Sequence, residues 1–113
     1  MLPRPHRLVA KKDFDRVWKQ GRAFFVPAIG MKVIRNGSAK SRFGFVVATT
    51  VSQRAVDRNR IKRRWRGLIA REMAQMQTGL DISIMARPPI MQLTRKEAEV
   101  VLLDLLRRAR ILP

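Results

Sequence analysis

The spacing of apolar positions changes several times along the chain, and each change marks an element. In "KKDFDRVWKQG", Phe14, Val17 and Trp18 fall at i, i+3 and i+4, one helix face, with Asp13 as a cap and Gly21 as a stop. A helix over 13–20 is predicted. From Phe24 to Ile34 the residues suit a strand that starts late or bulges at Pro27 and Gly30. "RNGSAK" carries Asn-Gly, which favours the positive φ of tight turns, and "SRFGFVVATT" supplies a partner strand, so an antiparallel hairpin is expected between the two. The period then lengthens to that of a helix: Ile61, Trp65, Leu68, Ile69 and Met76 share one stripe over 55–76. Gly79 closes that helix, and "LDISIMARPP" reads as a strand stopped by Pro88 and Pro89. Finally, "LTRKEAEVVLLDLLRRARIL" sets Thr94 three residues before Glu97, a capping box, ahead of a Leu/Val-rich helix ending in Arg107, Arg108 and Arg110.

The order α-β-β-α-β-α implies an α+β fold, an α/β sandwich with a small sheet. One domain spanning 1–113 fits the length, with residues 1–10 as a loosely ordered arm punctuated by Pro3 and Pro5. No internal repeat or low-complexity segment interrupts it.

Charge changes the picture from fold to partner. Lys and Arg number 25 against 8 Asp and Glu, a formal net charge of +17, and self-repulsion on that scale calls for an anionic partner, nucleic acid above all. No apolar run reaches the roughly 18 residues that span a bilayer, and the basic helix has no clean insertion face, so no membrane partner is expected. There is no cysteine, which removes disulfides, thiolate nucleophiles and cysteine-held metals together. The first residues lack the apolar stretch of a secretory signal, and a cytoplasmic location is expected.

The charge concentrates in "AVDRNRIKRRWRGLIARE". Asn59, Lys62, Arg63 and Arg66 form one arc of this helix, and Arg60, Arg64 and Arg71 continue it round the side away from Ile61 and Leu68. Like charges at i, i+4 destabilise an isolated helix by a few tenths of a kcal/mol per pair. Gly67, inside this polar surface, costs on the order of 1 kcal/mol relative to Ala, as though something approaches the backbone there. Guanidinium forks bind phosphate oxygens bidentately and stack on bases. The major groove of A-form RNA is too deep and narrow for a helix to read, so the helix is suited to backbone and irregular surfaces of a folded RNA.

Phe14 and Trp18 stand one turn apart among Lys11, Lys12, Arg16, Lys19 and Arg22. They either staple their helix to the sheet or offer a stacking platform for single-stranded nucleic acid, worth about 1–3 kcal/mol per base. One ring edge in the core and one face exposed would satisfy both. Protein-borne catalysis has little to draw on: His6 is the only histidine and lies in the arm, and the acids are dispersed. Asp13 and Asp15 read as helix-start residues, Asp57 as the cap of the basic helix, and Asp81 as either a strand-start residue or, in preference, a salt-bridge partner for that helix.

"AVDRNRIKRRWR" resembles the Arg-Asn-Arg-x-Lys-Arg pattern of the protein subunit of bacterial ribonuclease P, met here as Arg58, Asn59, Arg60, Lys62 and Arg63. The likeness extends in the same order to "DFDRVWKQG", "RFGFVVATTVSQRAV" and "LDISIMARP", nearly the whole chain. The resemblance implies a mixed sheet in which the basic helix makes a left-handed crossover between parallel neighbouring strands, against the usual hand. It also implies a subunit of an endoribonuclease that binds a catalytic RNA and the single-stranded 5′ leader of precursor tRNA, promoting removal of the leader. Bond-breaking then falls to the RNA with Mg2+, with no catalytic residue, cofactor or small-molecule substrate on the protein. By the same resemblance, Arg54, Arg58, Asn59, Arg60, Lys62, Arg63 and Arg66 are expected to bind RNA, and Phe14, Trp18 and Lys32 the leader. Thr49 and Thr50 stand where the family usually has a Lys-Lys pair. There is also no tyrosine for the position the family often fills in its first long strand, where Met31 or Lys32 is nearest. The rival reading is a structural RNA- or DNA-binding protein of ribosomal or nucleoid type, which needs the basic helix but not the aromatic cleft.

Overall fold

The structure, a computed structural model, describes residues 2–113. Its elements are α1 (Lys11–Gln20), β1 (Arg22–Val26), β2 (Ile29–Arg35), β3 (Arg42–Val46), α2 (Ala55–Glu72), β4 (Leu80–Ala86) and α3 (Arg95–Arg108), with short 3-10 turns at Arg4–His6, Met73–Gln75 and Pro88–Gln92. The strands form one sheet in the order β1-β2-β4-β3. β1 and β4 each run antiparallel to β2, while β3 runs parallel to β4. α2 is therefore a crossover between parallel neighbours. The α+β class and mixed sheet stand as expected, with one strand more.

Two expectations about the strands are corrected. The span from Phe24 to Ile34 is two strands, β1 and β2, joined by a tight turn at Pro27 and Ala28; proline's missing N–H is harmless in a turn and would be a defect in a paired strand. No hairpin forms across "RNGSAK", because β4 lies between β2 and β3. Six of the seven residues of β4 are buried, which only a central strand with both faces covered provides. The Asn-Gly turn itself exists, with Gly37 at φ 71°, but it carries the chain past the start of β4, where the Asn36 N–H donates to Gly79 O at 2.9 Å.

Alternation along the strands gives the sheet two unlike faces. Ile29, Met31, Phe43, Ile82 and Ile84 share one face and enter the apolar core with Trp65, Leu68 and Ile69 of α2 and Leu102, Leu105 and Leu106 of α3. Lys32, Arg42, Gly44, Asp81 and Ser83 share the other, and α1 lies across it. The α3 capping box forms as expected: Glu97 N–H donates to Thr94 Oγ1 at 3.2 Å and Thr94 N–H to Glu97 Oε1 at 2.8 Å. The Thr94 N–H, and after it the Thr94 hydroxyl, hold the Glu97 carboxyl below its usual range.

The helix starts differ from the sequence reading. α1 begins at Lys11 with Ala10 as N-cap, and Asp13 in its first turn pairs with Arg42 at 3.3 Å. α2 has Arg54 as N-cap; Asp57 sits in its first turn and accepts from Ser52 Oγ at 2.9 Å, a favourable place for an anion near the helix dipole. α2 ends at Glu72, and Met76 reaches the core after a short 3-10 turn. The arm expected to be loosely ordered is packed: Leu2 and Leu8 are buried, Leu8 N–H donates to Phe43 O at 2.8 Å, and His6 Nδ1 lies 2.8 Å from Ser41 O. Leucines spaced six apart gave the arm two anchors that the prolines obscured.

Candidate nucleic-acid interface

α2 turns its apolar stripe inward, with Trp65 buried and 6.2 Å from the Phe45 ring, and leaves its cations on the flanks. Arg58 is the exception among the expected RNA-binding residues, since its Nη1 donates to Ser52 O at 2.9 Å and braces the loop that enters the helix. Arg54 is exposed and 4.0 Å from Asp57, and Arg60 lies 3.8 Å from the same carboxylate. Asn59 and Arg63 are exposed, and Lys62 and Arg66 half-buried. Thr49 and Thr50 lie exposed in the turn before α2, so the surface offers hydroxyls there.

α1 is pinned to the polar face of the sheet by one buried carboxylate. Asp81 is fully buried; its Oδ1 accepts from Arg42 Nε and Asn36 Nδ2, both at 2.9 Å, and its Oδ2 from Arg42 Nη2 at 2.6 Å and Arg16 Nη2 at 2.9 Å. Burial pushes this carboxyl up, but the Arg42 fork, the Asn36 amide and Arg16 outweigh it and hold the group below the ordinary aspartate range. Arg42 is in turn raised, chiefly by its hydrogen bond to Asp81. Asp81 thus serves α1 and β3, and the expected pairing with the basic helix does not occur. The reason is register: Asp81 faces Arg42 across the parallel ladder, on the face opposite α2.

Of the three expected leader residues, Trp18 and Lys32 meet. Lys32 Nζ sits 5.1 Å above the Trp18 ring and donates to Trp18 O at 2.6 Å, closing the carbonyl end of α1 with a cation. Of the two residues nearest that strand position, Met31 is fully buried in the core and Lys32 stands on the α1 face. Phe14 points elsewhere. It lies against Gly44, where an added methyl would land on its ring, and lines a recess of about 200 Å³ with Arg7, Leu8, Phe43, Phe45 and Arg66.

That recess joins what the sequence reading kept apart, because Arg66 of the basic helix and Phe14 of the aromatic pair line the same space at the edge of β3. The reading also missed Arg7 and Phe45. Arg7 is positioned by a parallel bridge to Phe43 and by donating from Nε to Leu2 O at 2.9 Å, contacts signalled only by the buried leucines of the arm.

The family model for ribonuclease P matches residues 2–110. The chain belongs to the ribonuclease P protein family. The chain is 29% identical to the ribonuclease P protein component of Pseudanabaena, over 99% of this chain and 97% of that one, and 33% identical to that of Brevibacillus brevis, over 98% and 88%. Among solved structures, the RNase P protein of Staphylococcus aureus superposes with a TM-score of 0.90 at 25% identity, covering 96% of this chain and 98% of that one. The RNase P protein of Thermotoga maritima gives 0.80 at 27% identity, covering 90% and 96%. Family membership makes the chain the protein subunit of a ribonucleoprotein endoribonuclease, binding RNA in tRNA 5′ processing.

Proposed function

We propose that the chain holds the single-stranded 5′ leader of precursor tRNA between α1 and the edge of β3 while α2 grips the RNA subunit, and that the RNA carries out hydrolysis. The observation that carries this reading is the shared recess, in which an aromatic ring on α1 and an arginine on α2 line one space. A ring for a base beside a guanidinium for its phosphate is what a single strand requires. Trp18 under Lys32 offers a second aromatic one helical turn along α1, outside that recess. Arg54, Asn59, Arg60, Lys62 and Arg63 supply charge to the RNA subunit's backbone, and Arg58 shapes the loop that presents them.

The Mg2+ of the reaction is assigned to the RNA. No helix among the described residues is long and apolar enough to cross a membrane. We infer a cytoplasmic location from the role in tRNA processing.

The test compares precursor tRNA with mature tRNA lacking the leader, each bound to the reconstituted ribonucleoprotein. Phe14→Ala should weaken binding of the leader-bearing tRNA by about 1–3 kcal/mol, the scale of one stacked base, and leave mature tRNA unchanged. Equal losses for both would favour the rival reading, a structural RNA binder with no leader site.

A further inference from the structure

β1 and β3 are the two edges of the sheet. The β3 edge carries the recess with Phe14 and Arg66. At the β1 edge a different cleft, of about 370 Å³, opens beside the end of α3. It lies on the other face of the sheet from Lys32 and Trp18, because Arg22 pairs with Val33 and Phe24 with Met31, while Ala23 pairs with Lys32. Its floor is apolar: Phe24, Val33, Leu80 and Ala109. Arg22 and Arg35, both exposed, line it as well, and the Arg22 guanidinium stands 5.4 Å over the Phe24 ring. Beyond Arg35 the cleft continues into a polar lobe of about 270 Å³ along Gly37, Ser38 and Gly79.

Among the described residues no carboxylate comes within ion-pair distance of Arg22 or Arg35. Elsewhere off α2, Arg16, Arg42, Arg95 and Arg108 each have one. A guanidinium held on an aromatic ring without a counter-ion can grip an anion by its fork and stack on a planar group. The apolar floor asks the ligand for an apolar body besides its charge. Gln20 and Gln77, also in the lining, offer amides to donors and acceptors on the edge of a ring. A nucleobase with its phosphate uses all three features. An inorganic anion would leave the floor empty, and an aliphatic carboxylate would leave the amides idle. Gly37 and Gly79, at φ 71° and 80°, hold a backbone conformation that favours glycine and keep side chains of their own out of the polar lobe.

We propose that the cleft at the β1 edge is a nucleotide-binding site, with the base against Phe24 and Arg22 and the phosphate at Arg35, where the apolar floor gives way to the polar lobe. The site uses no residue of α2 and none of the leader recess, so it stands or falls independently of both. A free mononucleotide and one unpaired residue of a strand present the same base and phosphate to it. The two arginines have a competing use that needs no ligand: α1 and α3 end at Gln20 and Arg108, beside the cleft, and cations offset the partial negative charge of helix carbonyl ends.

The experiment follows backbone amides of the full-length protein by NMR during titration with adenosine monophosphate at constant ionic strength. Saturable shifts should appear at Arg22, Phe24, Val33, Gln77 and Leu80. Arg22→Ala combined with Arg35→Ala should weaken this binding by about tenfold or more, the scale of lost charge-assisted hydrogen bonds, and leave amides away from the cleft where they were. A short oligoadenylate that shifts the same amides at higher affinity than the mononucleotide would support the site and assign it to a strand; equal affinity would support it and assign it to free nucleotide. Inorganic phosphate or octanoate acting on these amides as strongly as the nucleotide would overturn the proposal. So would shifts confined to Phe14, Arg66 and the rest of α2. A double variant that melts lower yet binds nucleotide as the parent does would overturn it too, leaving the arginines to the helix ends alone.

Discussion

Ile84 and Ser83 are neighbours on β4, both fully buried, and they face opposite sides of the sheet. Around Ile84 lie only apolar side chains contributed by β2, β3, α2 and α3, so that face is held by area removed from water and close packing. Around Ser83 lie Lys32 on one neighbouring strand and Gly44 on the other, with the Asp81 network two residues away. Ser83 Oγ has no hydrogen-bond partner among the described residues. One face is built for stability. The other gives up packing for charged and small residues, and it relies on directed contacts to keep a ten-residue helix in place.

The largest expected contrast comes from truncating each neighbour. Ile84→Ala should cost about 2–5 kcal/mol in urea unfolding, the range for deleting a buried aliphatic side chain. Ser83→Ala should be neutral or stabilising by up to about 1 kcal/mol, because it removes a buried hydroxyl that nothing satisfies. Comparable losses at both sites would mean that the two faces do not differ in this way.

Asp81 is the next test, since it stands for directed contacts as Ile84 stands for packing. Asp81→Asn should destabilise by about 3 kcal/mol at neutral pH, because Arg16 and Arg42 lose a charged acceptor. The folded-state pKa is depressed, so the carboxylate's contribution is complete above its unfolded value of about 4 and lost as pH falls through the lower folded value. The gap between parent and variant should thus be constant from neutral pH down to about 5 and close below about 4. A gap that widens on acidification would contradict the network. A smaller effect is expected at Gly44, where Gly44→Ala must push the Phe14 ring aside at about 1–3 kcal/mol of overpacking. Its leader discrimination should move toward that of Phe14→Ala, measured as the precursor-to-mature affinity ratio.

Local signals were legible where the physics is local. The α3 capping box, the apolar stripe of α2 and the burial of Trp65 all follow from spacing within one helix. Strand order was not legible from "RNGSAK", because the dipeptide specifies a turn and not which strand pairs beyond it. The clue lay in β4, where six of seven residues are buried, as befits a central strand. The candidate site divided in the same way. Trp18 was named from pattern and Lys32 through the family resemblance, and the two do meet, but the union of Phe14 with Arg66 depends on α1 and α2 reaching one edge of the sheet from opposite faces. Arg7 and Phe45 entered only through such long-range placement.

The central claim is that the α1 face receives the leader, and Trp18 reports on it directly. The chain has two tryptophans, and Trp65 is buried under α2, so in a Trp65→Phe background all tryptophan emission comes from the half-buried Trp18. In the reconstituted ribonucleoprotein, precursor tRNA carrying a 5′ leader should shift or quench that emission, and mature tRNA should leave it unchanged. The same response to both would contradict the account.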